Sequence, residues 1–375
     1  MTATSGAGPS GAGPSGAGPV RDEDAFDVPR VATWLRENAT DAGGLDGIPE
    51  VGQFGGGASN LTYLLRYAAS PTSPAGRDLV LRRPPAGTKA KGAHDMRREH
   101  DLQAALAPVF PLVPRMVACC QDHEVLGSDF YVMERVAGII LRRNLPAELG
   151  LDADTTRRLC VAAVDTLADL HAVDVDAARL AGLGRGPGYV GRQVAGWSER
   201  YQKARTPDVP DAEAVMAWLA AEQPPDVATV LIHNDFRFDN LILDPTDPTR
   251  IVGVLDWELA TVGDPLMDLG SALAYWVQAD DDLVMQRMRR QPTHAPGMLT
   301  RAEVVARYTE RAGLVVSPQQ WRFYEVFGLF RLAVIAQQIY YRFVHGQTTN
   351  PAFAEFGAAV AYLDYRSRSI LESRG

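Results

Sequence analysis

The sequence predicts an α+β protein of two lobes, a small antiparallel-sheet lobe over residues 24–136 and a larger, mainly helical lobe over residues 137–375. Three observations carry this. Up to residue 136 most patterned segments are short and rich in Leu, Val, Tyr and Phe, as strands are, with one clear helix among them. After Gly138 apolar residues recur at helical spacing over long stretches. Within the helical part, the short apolar runs Val230-Leu-Ile232, Leu241-Ile-Leu243 and Ile251-Val-Gly-Val-Leu255 frame a polar segment, His233-Asn-Asp-Phe-Arg-Phe-Asp-Asn240. Its carboxylates and amides therefore sit at the ends of short buried strands.

The elements follow in order. Residues 5–19 are three copies of Ser-Gly-Ala-Gly-Pro, with no large apolar side chain to bury, so residues 1–23 are expected to be a disordered tail and order to begin near Phe26. Thr33–Asn38 reads as a leading helix, Leu61–Tyr67 as a strand, and Asp78–Arg82 as a second strand after a Ser/Pro/Gly turn. His94–Ala107 has helical spacing at Met96, Leu102, Ala105 and Leu106, and Val113–Cys119 and Phe130–Met133 give two more strands. Asp154–His171 carries Leu159, Ala162, Ala163, Leu167 and Leu170 on one stripe, with Asp154 as its N-cap. Residues 212–221, 266–277, 302–312 and 319–344 are further helices.

At 375 residues, 46% hydrophobic and 22% charged, the chain can bury one large or two moderate cores. A formal net charge of -9 argues against sequence-independent nucleic-acid binding, which needs a basic footprint. The most apolar late segment, Phe323–Val344, is interrupted by Glu325, Arg331 and Arg342, which suits an amphipathic core helix and no membrane role. Cys119, Cys120 and Cys160 form no C-x-x-C pair, and bridging adjacent cysteines would need a strained ring. With no charged and then apolar N-terminal stretch, a cytoplasmic location is expected.

The polar segment has a specific chemical reading. Phosphoryl-transfer loops written H-R-D-x-x-x-x-N use the Asp to accept the proton of the acceptor hydroxyl and the Asn to ligate magnesium. Asp235 and Asn240 have that spacing, and Asp256 in Val254-Leu-Asp-Trp-Glu258 follows the next apolar run as the carboxylate that joins Asn240 in holding the metal. A polar turn capped by Asp and Asn is the structural alternative; the strand, loop, strand, turn, strand order disfavours it. On these residues Leu231–Tyr275 resembles the aminoglycoside phosphotransferase-like family of small-molecule kinases. Leu255-Asp-Trp-Glu-Leu-Ala-Thr-Val-Gly-Asp-Pro-Leu-Met-Asp-Leu-Gly270 is most similar to the kinase-like domains fused to certain acyl-CoA dehydrogenases. The resemblance covers roughly residues 26–345 and implies a two-lobed protein-kinase-like fold, with ATP or another nucleoside triphosphate and Mg2+ as cofactors and an active site in the cleft between lobes.

The remaining site residues are placed by position. Gly55, Gly56, Gly57 and Ser59 precede the Leu61 strand where a phosphate-covering loop belongs, although a hairpin turn would read the same way. Arg82 stands where kinases place a strand lysine; it offers phosphate a planar fork, with Glu99 as its partner, and a solvated strand-end arginine is the alternative. Phe130–Gly138 resembles a hinge, with adenine held by backbone around Glu134 to Val136 and lined by Met133. His233 is read as organising the loop, Asp268 as bracing it, and Arg237 as either neutralising the transferred phosphoryl group or pairing with a carboxylate. Asp280-Asp-Asp282 reads as a solvated loop, or as a contact for a cationic substrate.

Together these readings predict a phosphotransferase acting on a small-molecule hydroxyl. The subfamily likeness implies a hydroxyacyl acceptor, CoA-linked in one form, with an aminoglycoside as the alternative. A catalytically silent nucleotide-binding module is the rival of another class, encouraged by Arg82 alone.

Overall fold

The computed structural model describes residues 16–55, 60–71, 73–85 and 95–373. The chain forms two compact units that divide between Ala137 and Gly138.

The first unit holds β1 (Ala17–Gly18), α1 (Val28–Asn38), β2 (Glu50–Phe54), β3 (Leu61–Tyr67), β4 (Arg77–Arg83), α2 (Met96–Leu106), β5 (Met116–Cys120), α3 (His123–Leu126) and β6 (Phe130–Glu134). The strands make one antiparallel sheet in the order β1-β2-β3-β4-β6-β5. Alternation sorts its side chains to two faces. Leu61, Tyr63, Leu65, Leu79, Leu81, Phe130 and Val132 bury one face with Val31 and Leu35 of α1. Val80, Tyr131 and Met133 form the other with Met96 of α2.

Order starts earlier than the repeats imply, so the expected boundary near Phe26 is too late. Ala17 and Gly18, inside the third repeat, pair with Phe54 and Gln53. Asp24 is buried, accepting hydrogen bonds from Gln53 Nε2 (2.8 Å) and Arg21 Nε (2.7 Å). Small residues have little to pack, yet their backbone can extend a sheet edge.

The second unit is α4 (Ala153–His171), α5 (Tyr189–Ala204), α6 (Glu213–Ala221), β7 (Val230–Ile232), β8 (Leu241–Leu243), β9 (Ile251–Val254), β10 (Thr261–Gly263), α7 (Pro265–Leu273), α8 (Leu283–Met288), α9 (Arg301–Ala312), α10 (Pro318–Val344) and α11 (Phe356–Glu372). β7 pairs with β10 and β8 with β9, both antiparallel. α7 crosses α10 at Gly270 and Gly328, where a Cβ on either residue would collide with the other helix's backbone. The long helix α10 buries Phe323, Phe327, Phe330 and Val334. Among the described residues no helix is long and apolar enough to cross a membrane.

Three sequence expectations need correction here. The N-cap of α4 is Asp152, which accepts from Thr155 N (2.8 Å), and Asp154 lies inside the first turn. The helix expected over 266–277 ends at Leu273, because the Thr293 hydroxyl accepts from Val277 N (3.1 Å) and donates to Val277 O (2.9 Å), pulling that residue off the helix. Asp281 is no solvated acid: it pairs with Arg301 (2.6 Å) and Arg366 (3.2 Å), while Asp282 caps α8.

Candidate active site

The segment His233–Asn240 joins β7 to β8, and Asp256 follows β9. Leu255 N donates to Asn240 O (2.8 Å), so the strand ends carrying Asn240 and Asp256 lie side by side. Asn234 and Asp256 both adopt left-handed backbone, with φ of 66° and 67°. Asn and Asp tolerate this region best among non-glycines, yet each such residue costs on the order of 1 kcal/mol, a strain that collects at functional sites.

A buried carboxylate holds the loop. Asp268, in the first turn of α7, is fully buried and accepts from His233 N (2.7 Å), Asn234 N (2.8 Å) and His171 Nε2 (3.1 Å). Tyr308 OH sits 2.6 Å from His171 Nδ1, so α4, α7 and α9 all converge on this anchor. Burial alone would raise the Asp268 carboxyl, but His171 and the loop N–H groups outweigh it and hold it below the usual aspartate range. The expected bracing role of Asp268 is thus visible atom by atom.

His233 is committed on both ring nitrogens. Nε2 lies 2.9 Å from Leu255 O, a pure acceptor, and Nδ1 accepts from Asp235 N at 3.2 Å. A ring so engaged keeps no lone pair for a substrate proton, in line with an organising role.

Asp235 projects from this braced backbone. Asn240 Nδ2 donates to its carbonyl (2.8 Å) and to its Oδ2 (3.1 Å), while Arg237 lies 3.0 Å from Oδ1. Burial raises the Asp235 carboxyl above its ordinary value; the Arg237 guanidinium and His233 pull it down without cancelling the rise, and the nearby Asp256 adds to it. With the Asn240 NH2 turned to Asp235, the amide oxygen is the atom it can offer a cation. An amide oxygen and a carboxylate such as that of Asp256 are hard-oxygen donors of the kind magnesium takes, so these residue types suit that ion.

Of the two roles open to Arg237, ion pairing is the one formed: it contacts Asp235 and Asp239 (3.3 Å) and lies 4.8 Å over the Tyr275 ring. Two further loop supports were missed in the sequence. Gln291 Oε1 accepts from Phe238 N (2.8 Å), and Arg331 of α10 donates to Asn234 O (2.9 Å). Neither belongs to a motif; each reaches the loop from 53 or more positions away.

In the first unit, Arg82 NH1 donates to Glu99 Oε1 at 2.6 Å, and Tyr131 OH donates to the same oxygen at 2.8 Å. Glu99 is 2% exposed and Arg82 11%, so the solvated-arginine alternative fails and the expected partnership is formed. Arg83 faces the other side, donating to Tyr63 OH (2.8 Å) and Asp24 O (2.6 Å). The side chain of Glu134 is held by Arg77 (2.6 Å) and Arg115 (3.2 Å), and its N–H by Arg115 O (2.8 Å). Of the backbone donors expected to read adenine, Glu134 N–H is therefore already engaged; Val136 lies two residues beyond β6. Gly55 is exposed directly after β2, and Gly56, Gly57 and Ser59 lie outside the described residues.

The chain is similar to several known proteins. Residues 50–304 match the phosphotransferase enzyme family. Mouse acyl-CoA dehydrogenase family member 10 is 35% identical over 309 residues, 82% of this chain and 28% of that protein. Human acyl-CoA dehydrogenase family member 11 is 32% identical over 335 residues, 88% of this chain and 41% of that protein. The chain therefore spans less than half the length of these relatives. A solved structure of a candidate aminoglycoside phosphotransferase from Ralstonia eutropha JMP134 superposes with a TM-score of 0.76 at 29% identity, covering 92% of this chain and 98% of that one. A choline kinase from Cryptosporidium parvum shares the fold at a TM-score of 0.59 and 13% identity, covering 92% of this chain and 96% of that one. On the family match and the identity to these relatives, the chain belongs to the phosphotransferase enzyme family.

Proposed function

We propose that this chain is an ATP- and magnesium-dependent phosphotransferase that phosphorylates a hydroxyl of a small molecule, a hydroxyacyl compound carried as a CoA thioester. The carrying observation is Asp235, half-buried and oriented by Asn240 on a loop pinned through Asp268. In this reading Asp235 accepts the hydroxyl proton and aligns the oxygen for attack. Asn240 and Asp256 hold magnesium, which when bound neutralises phosphate oxygens. Arg82, fixed by Glu99, and the segment Gly55, Gly56, Gly57 and Ser59 hold the nucleotide phosphates, with backbone near Val136 receiving the base. The acyl-CoA half of the reading rests on the relatives' names, and the three free thiols support a cytoplasmic setting. An aminoglycoside acceptor is the second reading, supported by the likeness to the Ralstonia protein. Phosphate transfer from ATP, with and without magnesium, across hydroxyacyl-CoAs, free hydroxy acids and aminoglycosides tests both. Turnover of none of these would favour a silent nucleotide-binding module.

Asp256→Ala is expected to abolish the tightening of ATP binding by magnesium, because such sites rely on one or two protein carboxylates besides phosphate oxygens. Calorimetry with and without the ion measures it; an unchanged metal dependence places the ion elsewhere. Arg82→Ala should weaken ATP binding about 10-fold or more, and Arg82→Lys should recover only part, since an ammonium cannot supply a two-pronged contact. Arg83→Ala should instead lower the melting temperature, given its bonds to Tyr63 and Asp24. Equal ATP affinities in wild type and Arg82→Ala would assign the phosphate cation to another residue.

A further inference from the structure

Beside the catalytic loop lie two arginines and a histidine with no carboxylate partner among the described residues. Arg289 follows α8, and its guanidinium donates to Arg143 O (3.4 Å) and contacts the His294 ring. The turn carrying Arg289 and His294 is fixed at two points: Gln291 Oε1 accepts from Phe238 N of the catalytic loop, and Thr293 clasps Val277. Arg143 lies shortly after Ile139, whose backbone bridges to Leu243 of β8. Each member is thereby tied to the strands that carry Asp235 and Asn240.

Several arginines near the loop and on the late helices are matched to carboxylates. Arg237 sits on Asp235 and Asp239, and Arg301 and Arg366 share Asp281. At Arg289 and His294, by contrast, the acting charges are all positive. Burial lowers the Arg289 guanidinium and Arg143 lowers it further; burial lowers the His294 ring, and Arg289 and Arg143 add to that. No carboxylate pairs with Arg143 or Arg289 among the described residues, and the buried Nε of Arg289 has no hydrogen-bond partner. Like charges gathered in partly desolvated surroundings repel, and an anion relieves them.

We infer that Arg143, Arg289 and His294 form a subsite for a phosphate group carried by the acceptor. Two guanidinium forks and an imidazole match the several oxygens of a phosphomonoester better than a single carboxylate does. A polycationic aminoglycoside would be repelled from the same place. The inference rests on the proposed acceptor, and coenzyme A, with its phosphate groups, is the probe.

Calorimetric titration of coenzyme A into the full chain, with a non-hydrolysable ATP analogue and magnesium at saturation to close the nucleotide site, reads it directly. Wild type is expected to bind coenzyme A about 10-fold or more tightly than phosphate-free pantetheine, the scale of one charge-assisted hydrogen bond. Arg289→Gln and Arg143→Gln should each lose about that factor for coenzyme A and nothing for pantetheine or the ATP analogue. Because Arg143 is exposed, Arg143→Glu should deepen the loss at an unchanged melting temperature. Equal coenzyme A affinity in wild type and variants overturns the subsite, and a loss falling on the ATP analogue reassigns these cations to the nucleotide. Failure of the analogue itself to bind would contradict ATP use, and the coenzyme A arm then runs without it.

Discussion

Asp235→Asn is expected to lower turnover by a factor of about 10² or more while leaving fold and nucleotide affinity intact, the scale for removing a general base and its positioning. The side chain keeps its shape, so Asn240 Nδ2 still meets the backbone carbonyl and the Asp268 anchor is untouched. What is lost is the proton acceptor. Steady-state kinetics with the accepted substrate and a thermal melt separate the two effects; turnover within 10-fold of wild type would remove Asp235 from the role given to it. The pH profile supplies a second reading. Burial holds the Asp235 carboxyl above its ordinary value and Arg237 opposes that rise, so the acid limb of kcat/KM should lie above the usual aspartate range of about 4. Arg237→Met should move that limb to higher pH; a shift to lower pH would show that Arg237 does not stabilise the ionised base.

The second large effect belongs to Asp268. Asp268→Ala leaves the His233 and Asn234 N–H groups and the His171 ring without their acceptor in a fully buried site. Removing one side of a buried charged network costs about 3–5 kcal/mol, a large share of a domain's total stability. Asp268→Asn should rescue little, because its NH2 would point a donor at a donor. The sign of the pH dependence follows from the lowered native value. The stabilisation by Asp268 is complete above the unfolded aspartate range and is lost as pH falls through the native value, so wild type and variant should converge in acid. Denaturant melts from neutral pH downward measure this, and a gap that widens in acid would refute the anchoring role.

Much of the fold and part of the site could be read along the chain, because they depend on neighbours in sequence. Leu61–Tyr67, Val230–Ile232 and Leu241–Leu243 are strands over the limits their alternating or continuous apolar residues mark. The spacing of Asp235 and Asn240 is likewise local: five residues of one loop bring the amide to the carboxylate. The Arg82 to Glu99 pair, across a longer interval, follows from a strand and its packed helix.

What the sequence alone could not decide is set by groups far apart along the chain. The helix Tyr189–Ala204 escaped notice because Gly191 and Gly196 weaken its pattern and its cap is Asp226, which accepts from Gly188, Tyr189 and Val190 N–H groups. The strand at Ala17 exists because β2 presents an edge to pair with, a cause that the Ser-Gly-Ala-Gly-Pro composition does not contain. Arg143, Arg289 and His294 look like ordinary surface residues until the turns that carry them meet. Periodicity and spacing therefore marked most of the elements of this protein and its candidate carboxylate Asp235, whereas the anchor, the caps and the distribution of uncompensated charge were decided only when the tertiary structure closed, because electrostatic and hydrogen-bond energies depend on distance in space.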